Sequence, residues 1–365
     1  MSIDVRGVNT HNKGAHLMLI AIVNQISKRW PITVSPNGSD YDDRARLGLR
    51  QSLILDQAPR MTAAVGSLLP RRMTAMFGVE RASDISGVLD ASGFAYSDSF
   101  GPKRSQREAS LLRSWRRQQV PRVFLPQAFG TFSDQRVREF SRELLRDARV
   151  VYARDKVSLR YLQDSDMDSG NIRLCPDFTT LENGKVPTDL PSVPFAAFVP
   201  NSKMITHGDI SQSQYIADAR ELLRYLDKRG MRPIVAPHES TDIPLARQIV
   251  DGTSGLVYWN NDPLAIKGFL SEAEITVGSR FHALVGSLSS GRPTVGIGWS
   301  HKYRELFSDY GVEHWIASDL GQAQTLVEAS LDDAQGIKDV QYQGAVLKDK
   351  VSEMWHDVSS ILEGR

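Results

Sequence analysis

Short apolar runs rich in β-branched and aromatic residues alternate along this chain with longer stretches whose apolar positions recur every three to four residues. That alternation predicts repeated βα units built around parallel sheets. The predicted strands include 123–125, 150–152, 195–199, 233–235, 256–259, 275–278 and 294–297. Between them, 134–148 places Val137, Phe140, Leu144 and Leu145 on one helical face, and 211–229 does the same with Ile216, Leu222, Leu223 and Leu226. Near the end, Leu347, Val351, Met354, Trp355, Val358, Ile361 and Leu362 keep helical spacing and predict a terminal helix with one apolar face. The segment 183–194, dense in Pro and turn formers, reads as a linker. The expected organisation is α/β in two Rossmann-like lobes: 1–182, the linker 183–194, a second lobe 195–340 and a C-terminal helix 341–365.

Composition narrows the function classes. A chain of 365 residues can bury two separate cores, and 41% hydrophobic with 24% charged residues is ordinary for a globular protein. With 44 Lys and Arg against 43 Asp and Glu, the net charge of +1 offers no global electrostatic case for nucleic acid. Cys175 is the one cysteine, so no intramolecular disulfide forms, and a buried thiol is expected rather than a nucleophile. Neither a secretory pattern nor a membrane-spanning apolar run is present, which leads to the expectation of a cytoplasmic protein.

The densest chemistry lies where two predicted strands end. The run 275–277 stops at Gly278-Ser279 and gives way to a helical pattern, so Arg280 and His282 should stand at a strand's carboxyl edge, where open α/β sheets bind ligands. The strand 294–297 ends likewise and delivers His301 and Lys302 to the same edge. Two cations and a titratable imidazole then surround an anion-sized space. Tyr152-Ala153-Arg154-Asp155 also closes a strand; Arg154 there either forks onto a carboxylate or phosphate or pairs within its own sheet. Upstream, Asn9-Thr10-His11-Asn12-Lys13-Gly14-Ala15 opens an apolar helix, as an ordinary cap or as amides offered to an anion or sugar hydroxyl. Asn201 and the pair His238-Glu239 close two further strands as secondary candidates.

These segments resemble the polysaccharide pyruvyl transferases. The resemblance rests on Ser279-Arg280-Phe281-His282-Ala283 with Trp299-Ser300-His301-Lys302-Tyr303, on Arg154-Asp155 with Ser158, on Pro126-Gln127 with Gly130 and Phe132, and on the Asn, Gly and Ala of the N-terminal turn. Around Asp90-Ala91-Ser92-Gly93-Phe94 the chain has a single glycine where relatives often carry two. The resemblance implies the two-lobed GT-B glycosyltransferase architecture, with the C-terminal helix crossing back to the first lobe. It implies phosphoenolpyruvate as co-substrate, with no cofactor and no metal. A saccharide or lipid-linked oligosaccharide on the way to an exopolysaccharide or other envelope polymer would receive the cyclic pyruvate ketal. Donor binding then falls to Arg154 of the first lobe and to Ser279, Arg280, His301 and Lys302 of the second, the donor side, and proton donation to His282. The acceptor or secondary residues are Asn9, Asn12, Gly14, Asn201, His238 and Glu239. Two alternatives stay open: a nucleotide-sugar glycosyltransferase on the same architecture, and a non-catalytic saccharide-binding protein.

Between Arg60 and Arg122 basic residues outnumber acidic ones and interleave with Leu68, Leu69, Met73, Met76, Phe77, Leu111, Leu112 and Trp115. This pattern reads either as a solvated surface or as a face for anionic lipid at the inner side of a membrane.

Overall fold

The structure is a computed structural model that describes residues 2–54, 59–116, 119–167, 170–206, 210–298 and 300–364. Its chain divides into two compact units. The first comprises 1–11, 18–178 and 350–365, and the second 12–17 and 179–349. Sequence pattern alone groups 12–17 with the first lobe, because a single amphipathic helix, Lys13–Ile26, continues through both segments.

The first unit holds a nine-stranded sheet. Its strands are β1 (Ser2–Arg6), β2 (Ile32–Val34), β3 (Arg50–Ser52), β4 (Val79–Glu80), β5 (Ile85–Asp90), β6 (Phe94–Tyr96), β7 (Arg122–Phe129), β8 (Val150–Ala153) and β9 (Ile172–Leu174). They run in the order β4-β3-β2-β1-β5-β7-β8-β9, with β6 beside β7, and all pairs are parallel. Tyr96, Leu111, Trp115, Phe124, Phe129, Val137 and Leu144 pack in its core. The predicted helix at 134–148 is Gln135–Arg146, capped by Asp134, which accepts from the amides of Arg136 and Val137.

The second unit holds six parallel strands: β10 (Phe195–Val199), β11 (Arg232–Val235), β12 (Leu256–Val257), β13 (Ile275–Gly278), β14 (Thr294–Ile297) and β15 (Ile316–Ala317). The order β12-β11-β10-β13-β14-β15, counted from the unit's own first strand, is 3-2-1-4-5-6. That is the doubly wound arrangement whose ligand crevice opens between the first and fourth strands. The helix Gln212–Lys228, predicted at 211–229, buries Tyr215, Ala219, Leu222, Leu223 and Leu226 on the sheet. The predicted linker is not free chain: the Lys185 amide donates to Leu264 O at 2.8 Å, and Gly184 lies against the backbone of Gly268.

The terminal helix spans Ala334–Leu362, beginning seven residues before the predicted start at 341. Its last turns belong to the first unit. There Trp355 meets Phe178 edge to face at 5.8 Å, the Tyr152 hydroxyl donates to Asp357, and Leu362 lies close to Gly87. A Cβ at Gly87 would sit 2.7 Å from Leu362 Cδ2, so a side chain there would push the Leu362 tip aside. Among the described residues no helix is long and apolar enough to cross a membrane.

Candidate functional site

Because β10, β11, β13 and β14 are all parallel neighbours, their carboxyl ends lie on one edge of the second sheet. At the crevice between β10 and β13, Asn201 Nδ2 donates to Ser279 O at 2.8 Å and the Tyr303 hydroxyl donates to the same carbonyl at 2.9 Å. The Asn201 amide in turn donates to Tyr215 Oη at 3.3 Å. Burial pushes the Tyr215 phenol up to about 12, so it stays neutral throughout the working range. These bonds fix the turn that carries Arg280 and His282.

Arg280 stands at the strand end, as expected, and is 6% exposed. Its Nε and Nη2 donate to the two oxygens of Asp242 at 2.8 and 2.7 Å, and Nη1 lies 2.7 Å from Glu239 Oε1. Asp242 has no exposure and also accepts from the amide and hydroxyl of Ser202 at 3.0 and 2.8 Å. A carboxylate so deeply buried requires a cation beside it. Arg280 is therefore the centre of a carboxylate clamp, where sequence reading alone makes it a cation open to a donor. Glu239, part exposed, also accepts from Asn12 Nδ2 at 2.5 Å, and Asn12 Oδ1 caps the helix at the Ala15 amide, 3.1 Å away.

His282 lies against the first turn of that helix. A Cβ at residue 14 would come within 2.2 Å of His282 Nδ1, so only glycine leaves room for the imidazole. His238, at the end of β11, is 5% exposed. Its pKa is held well below the usual histidine range by burial first, then by the fields of His282, Arg280 and Lys13. It is neutral at pH 7. Lys13, buried at 5%, donates from Nζ to Asn261 O at 2.5 Å and stands 5.1 Å from the Trp259 ring centre. Lys302 Nζ lies 5.8 Å from the Phe281 ring centre and 5.1 Å from that of Tyr303, beside the same turn. His301 opens the helix His301–Asp309 and is half-buried. Trp299 lies outside the described residues.

The second unit thus brings together Asn12, Gly14, Asn201, His238, Glu239, Ser279, Arg280 and His282, with Lys302 adjoining. Asn9 and Arg154 belong to the first unit. There Arg154, 5% exposed, donates to Asp177 Oδ2 at 3.2 Å, while Asp155 caps the helix Lys156–Asp164 through the Ser158 amide at 2.6 Å. Sequence reading missed Lys13 and Asp242. The signal for Lys13 was a lysine in the first turn of an otherwise apolar helix, where solvent-facing positions are few; Asp242 sits in a Ser-Thr-Asp-Ile-Pro turn that looks like any helix start. Among the described residues no group of three His, Cys, Asp or Glu side chains is placed to hold a metal ion.

No curated protein matches the sequence. Solved structures do match in fold. A Listeria monocytogenes protein assigned as a UDP-N-acetylglucosamine 2-epimerase superposes with TM-score 0.63 at 10% identity, over 100% of this chain and 96% of that one. The UDP-GlcNAc 2-epimerase from Neisseria meningitidis, bound to UDP-GlcNAc, gives 0.58 at 9% identity over 97% and 100%. Alr3699/HepE from Anabaena, in complex with UDP-glucose, gives 0.58 at 13% over 100% of both chains. At such identities the likeness establishes the fold, two α/β lobes of the GT-B class. The profile of one family, polysaccharide pyruvyl transferase, matches residues 12–301, most of the chain and all of the cluster around Arg280 and His282, so the protein belongs to the polysaccharide pyruvyl transferase family.

Proposed function

We propose that the protein transfers the pyruvyl group of phosphoenolpyruvate to two hydroxyls of one sugar in a polysaccharide precursor, forming a cyclic ketal and releasing phosphate. The observation that carries this reading is the pairing of two histidines in unlike settings at the crevice. His238 is kept neutral, and His282 stands beside it at the helix start after β13, where the negative charge of a bound donor would favour its protonated form. Two titratable groups whose surroundings differ are what an acid and a base for one reaction require.

In this mechanism protonated His282 gives its proton to the methylene carbon of the donor, and positive character develops at the adjacent carbon that bears carboxylate and phosphate. A sugar hydroxyl attacks that carbon and neutral His238 takes up the hydroxyl proton. A second hydroxyl then displaces phosphate and closes the ring, its proton passing to His282, which the first step left neutral, while the departing phosphate carries off the proton held by His238. Lys13 and Lys302 supply charge for the donor's phosphate and carboxylate, and Arg280, held by Asp242 and Glu239, adds its positive field at the strand end. Ser279 and Asn201 keep the turn in place, and His301 at its helix start adds a further donor. Asn9 and Arg154, which the sequence offers as acceptor and donor contacts, belong to the first unit and take no part in these steps. A positioned acid of this kind contributes roughly a hundredfold to ten-thousandfold in rate.

The second reading is a nucleotide-sugar enzyme, favoured by the likeness to structures that hold UDP or UDP-sugars. A thermal-stability scan with phosphoenolpyruvate and with UDP separates the two. Lys302→Ala is the informative variant, because Arg280→Ala would strand the buried Asp242 carboxylate, at a cost of about 3–5 kcal/mol in stability. Phosphoenolpyruvate at a hundredfold excess over its dissociation constant should stabilise the wild type by about 2.7 kcal/mol. Lys302→Ala should lose most of that shift. Stabilisation by UDP and none by phosphoenolpyruvate would replace this reading with the second.

A further inference from the structure

The first unit carries an apolar surface that the chemistry above does not use. The helices Pro59–Ser67 and Arg71–Met76 and the turn joining them leave Met61, Val65, Leu68, Met73, Met76 and Phe77 exposed, by 53–82% of their surface. The helix Arg71–Met76 buries Thr74 alone, so its other side chains have no core to face. Isolated exposed apolar residues are ordinary, but a contiguous set on one short stretch marks an interaction surface. The charge of the stretch identifies its partner. From Gln57 to Val79 there is no Asp or Glu, while Arg60, Arg71 and Arg72 contribute three positive charges. Arg71 keeps 67% of its side chain exposed and reaches Asp84 only at 3.8 Å.

We propose that this face docks on an anionic lipid bilayer, with Leu68, Met76 and Phe77 entering the interface and Arg71 and Arg72 lying at headgroup level. A second copy of the chain is a poor occupant, because a two-fold contact would set the same net positive stretch, with no Asp or Glu of its own, against itself. An apolar face rimmed by arginine matches the boundary between acyl chains and anionic headgroups. The surface is smaller than the interleaved pattern between Arg60 and Arg122 suggests. Leu111 and Trp115 are buried in the first unit's core, where Trp115 Nε1 donates to Ala82 O at 3.2 Å. Arg117 and the side chains of Arg60, Leu112, Arg113 and Arg116 lie outside the described residues. This inference does not depend on the donor chemistry, since it concerns binding to lipid rather than turnover.

The test is co-sedimentation with vesicles of phosphatidylglycerol and phosphatidylcholine, against vesicles of phosphatidylcholine alone, at low and raised salt. Wild type should bind the anionic vesicles and be released by salt. The double variant Arg71→Ala/Arg72→Ala should partition about 25-fold more weakly, at about fivefold for each arginine near the surface. The triple variant Leu68→Ser/Met76→Ser/Phe77→Ser should also lose binding, while all variants keep the wild-type melting temperature because every substituted side chain is exposed. Failure of wild type to bind, or binding equal in all variants, overturns the proposal. So does a wild-type dimer in sedimentation equilibrium that the triple variant abolishes, since the face would then belong to a second copy.

Discussion

His238 makes the pH dependence of this protein readable at one position. Its folded-state pKa is depressed, so below the ordinary histidine value of about 6.5 the unfolded chain binds a proton that the folded chain refuses. Stability therefore falls as pH drops through that value and continues to fall until the lower folded pKa is reached, with a limiting slope of about 1.4 kcal/mol per pH unit for one proton. His238→Asn removes the titration and keeps a polar side chain at the end of β11. The expected outcome is a melting temperature near that of the wild type at pH 7.5 and a shallower decline in acid. A decline identical to that of the wild type would mean another group carries the loss. Residues of this kind were only half legible in the sequence. His282 and Arg280 follow a β-branched run and a glycine, which announces a strand end, whereas the reason for Gly14 is an imidazole 268 positions away in the chain. No local pattern contains that contact.

At the scale of elements, Asp155 and Ser158 of the motif Arg154-Asp155-x-x-Ser158 build a helix start. Asp155 accepts from the Ser158 amide, and Ser158 Oγ accepts from the Phe129 amide at 2.9 Å, tying the helix Lys156–Asp164 to the end of β7. Removing the cap by Asp155→Ala should cost about 1 kcal/mol, and Asp155→Asn, which keeps an acceptor, should recover most of it. Urea unfolding of the three proteins measures this directly; equal midpoints for the wild type and the alanine variant would show that the cap contributes nothing. Strands were legible where both faces are apolar, as in β10, β13 and β14, whose four or five residues are all buried. β1 escaped notice because Asp4 and Arg6 look like solvent-facing residues. In the structure both are buried, and Arg6 lies 3.8 Å from Asp4 and 3.3 Å from Glu108. The alternation Ser2-Ile3-Asp4-Val5-Arg6 fits a strand with one wet face, whereas the structure buries both faces and pairs the charges inside.

For the whole molecule, the chain's own path sets a prediction about how it unfolds. Each unit has a separate core, yet the first is completed only by residues 350–365, at the far end of the sequence. Val351, Met354, Trp355 and Val358 are each less than 5% exposed, with Trp355 on Phe178, and Asp357 binds both Tyr152 and Arg173. At roughly 1.5–3 kcal/mol for each large apolar side chain, these four represent about 6–12 kcal/mol of burial. That is comparable with the entire stability of an ordinary domain, about 5–15 kcal/mol. Deleting 350–365 should therefore unfold the first unit at room temperature and leave the second, whose cores around Phe198, Leu222 and Val277 and around Phe195 and Phe269 contain none of these residues. Calorimetry should then lose one transition and retain another, and protease should degrade the first unit while sparing 179–349. Loss of both transitions together would show that the two units stand or fall as one cooperative body; retention of both would show that the last sixteen residues contribute little beyond their local contacts.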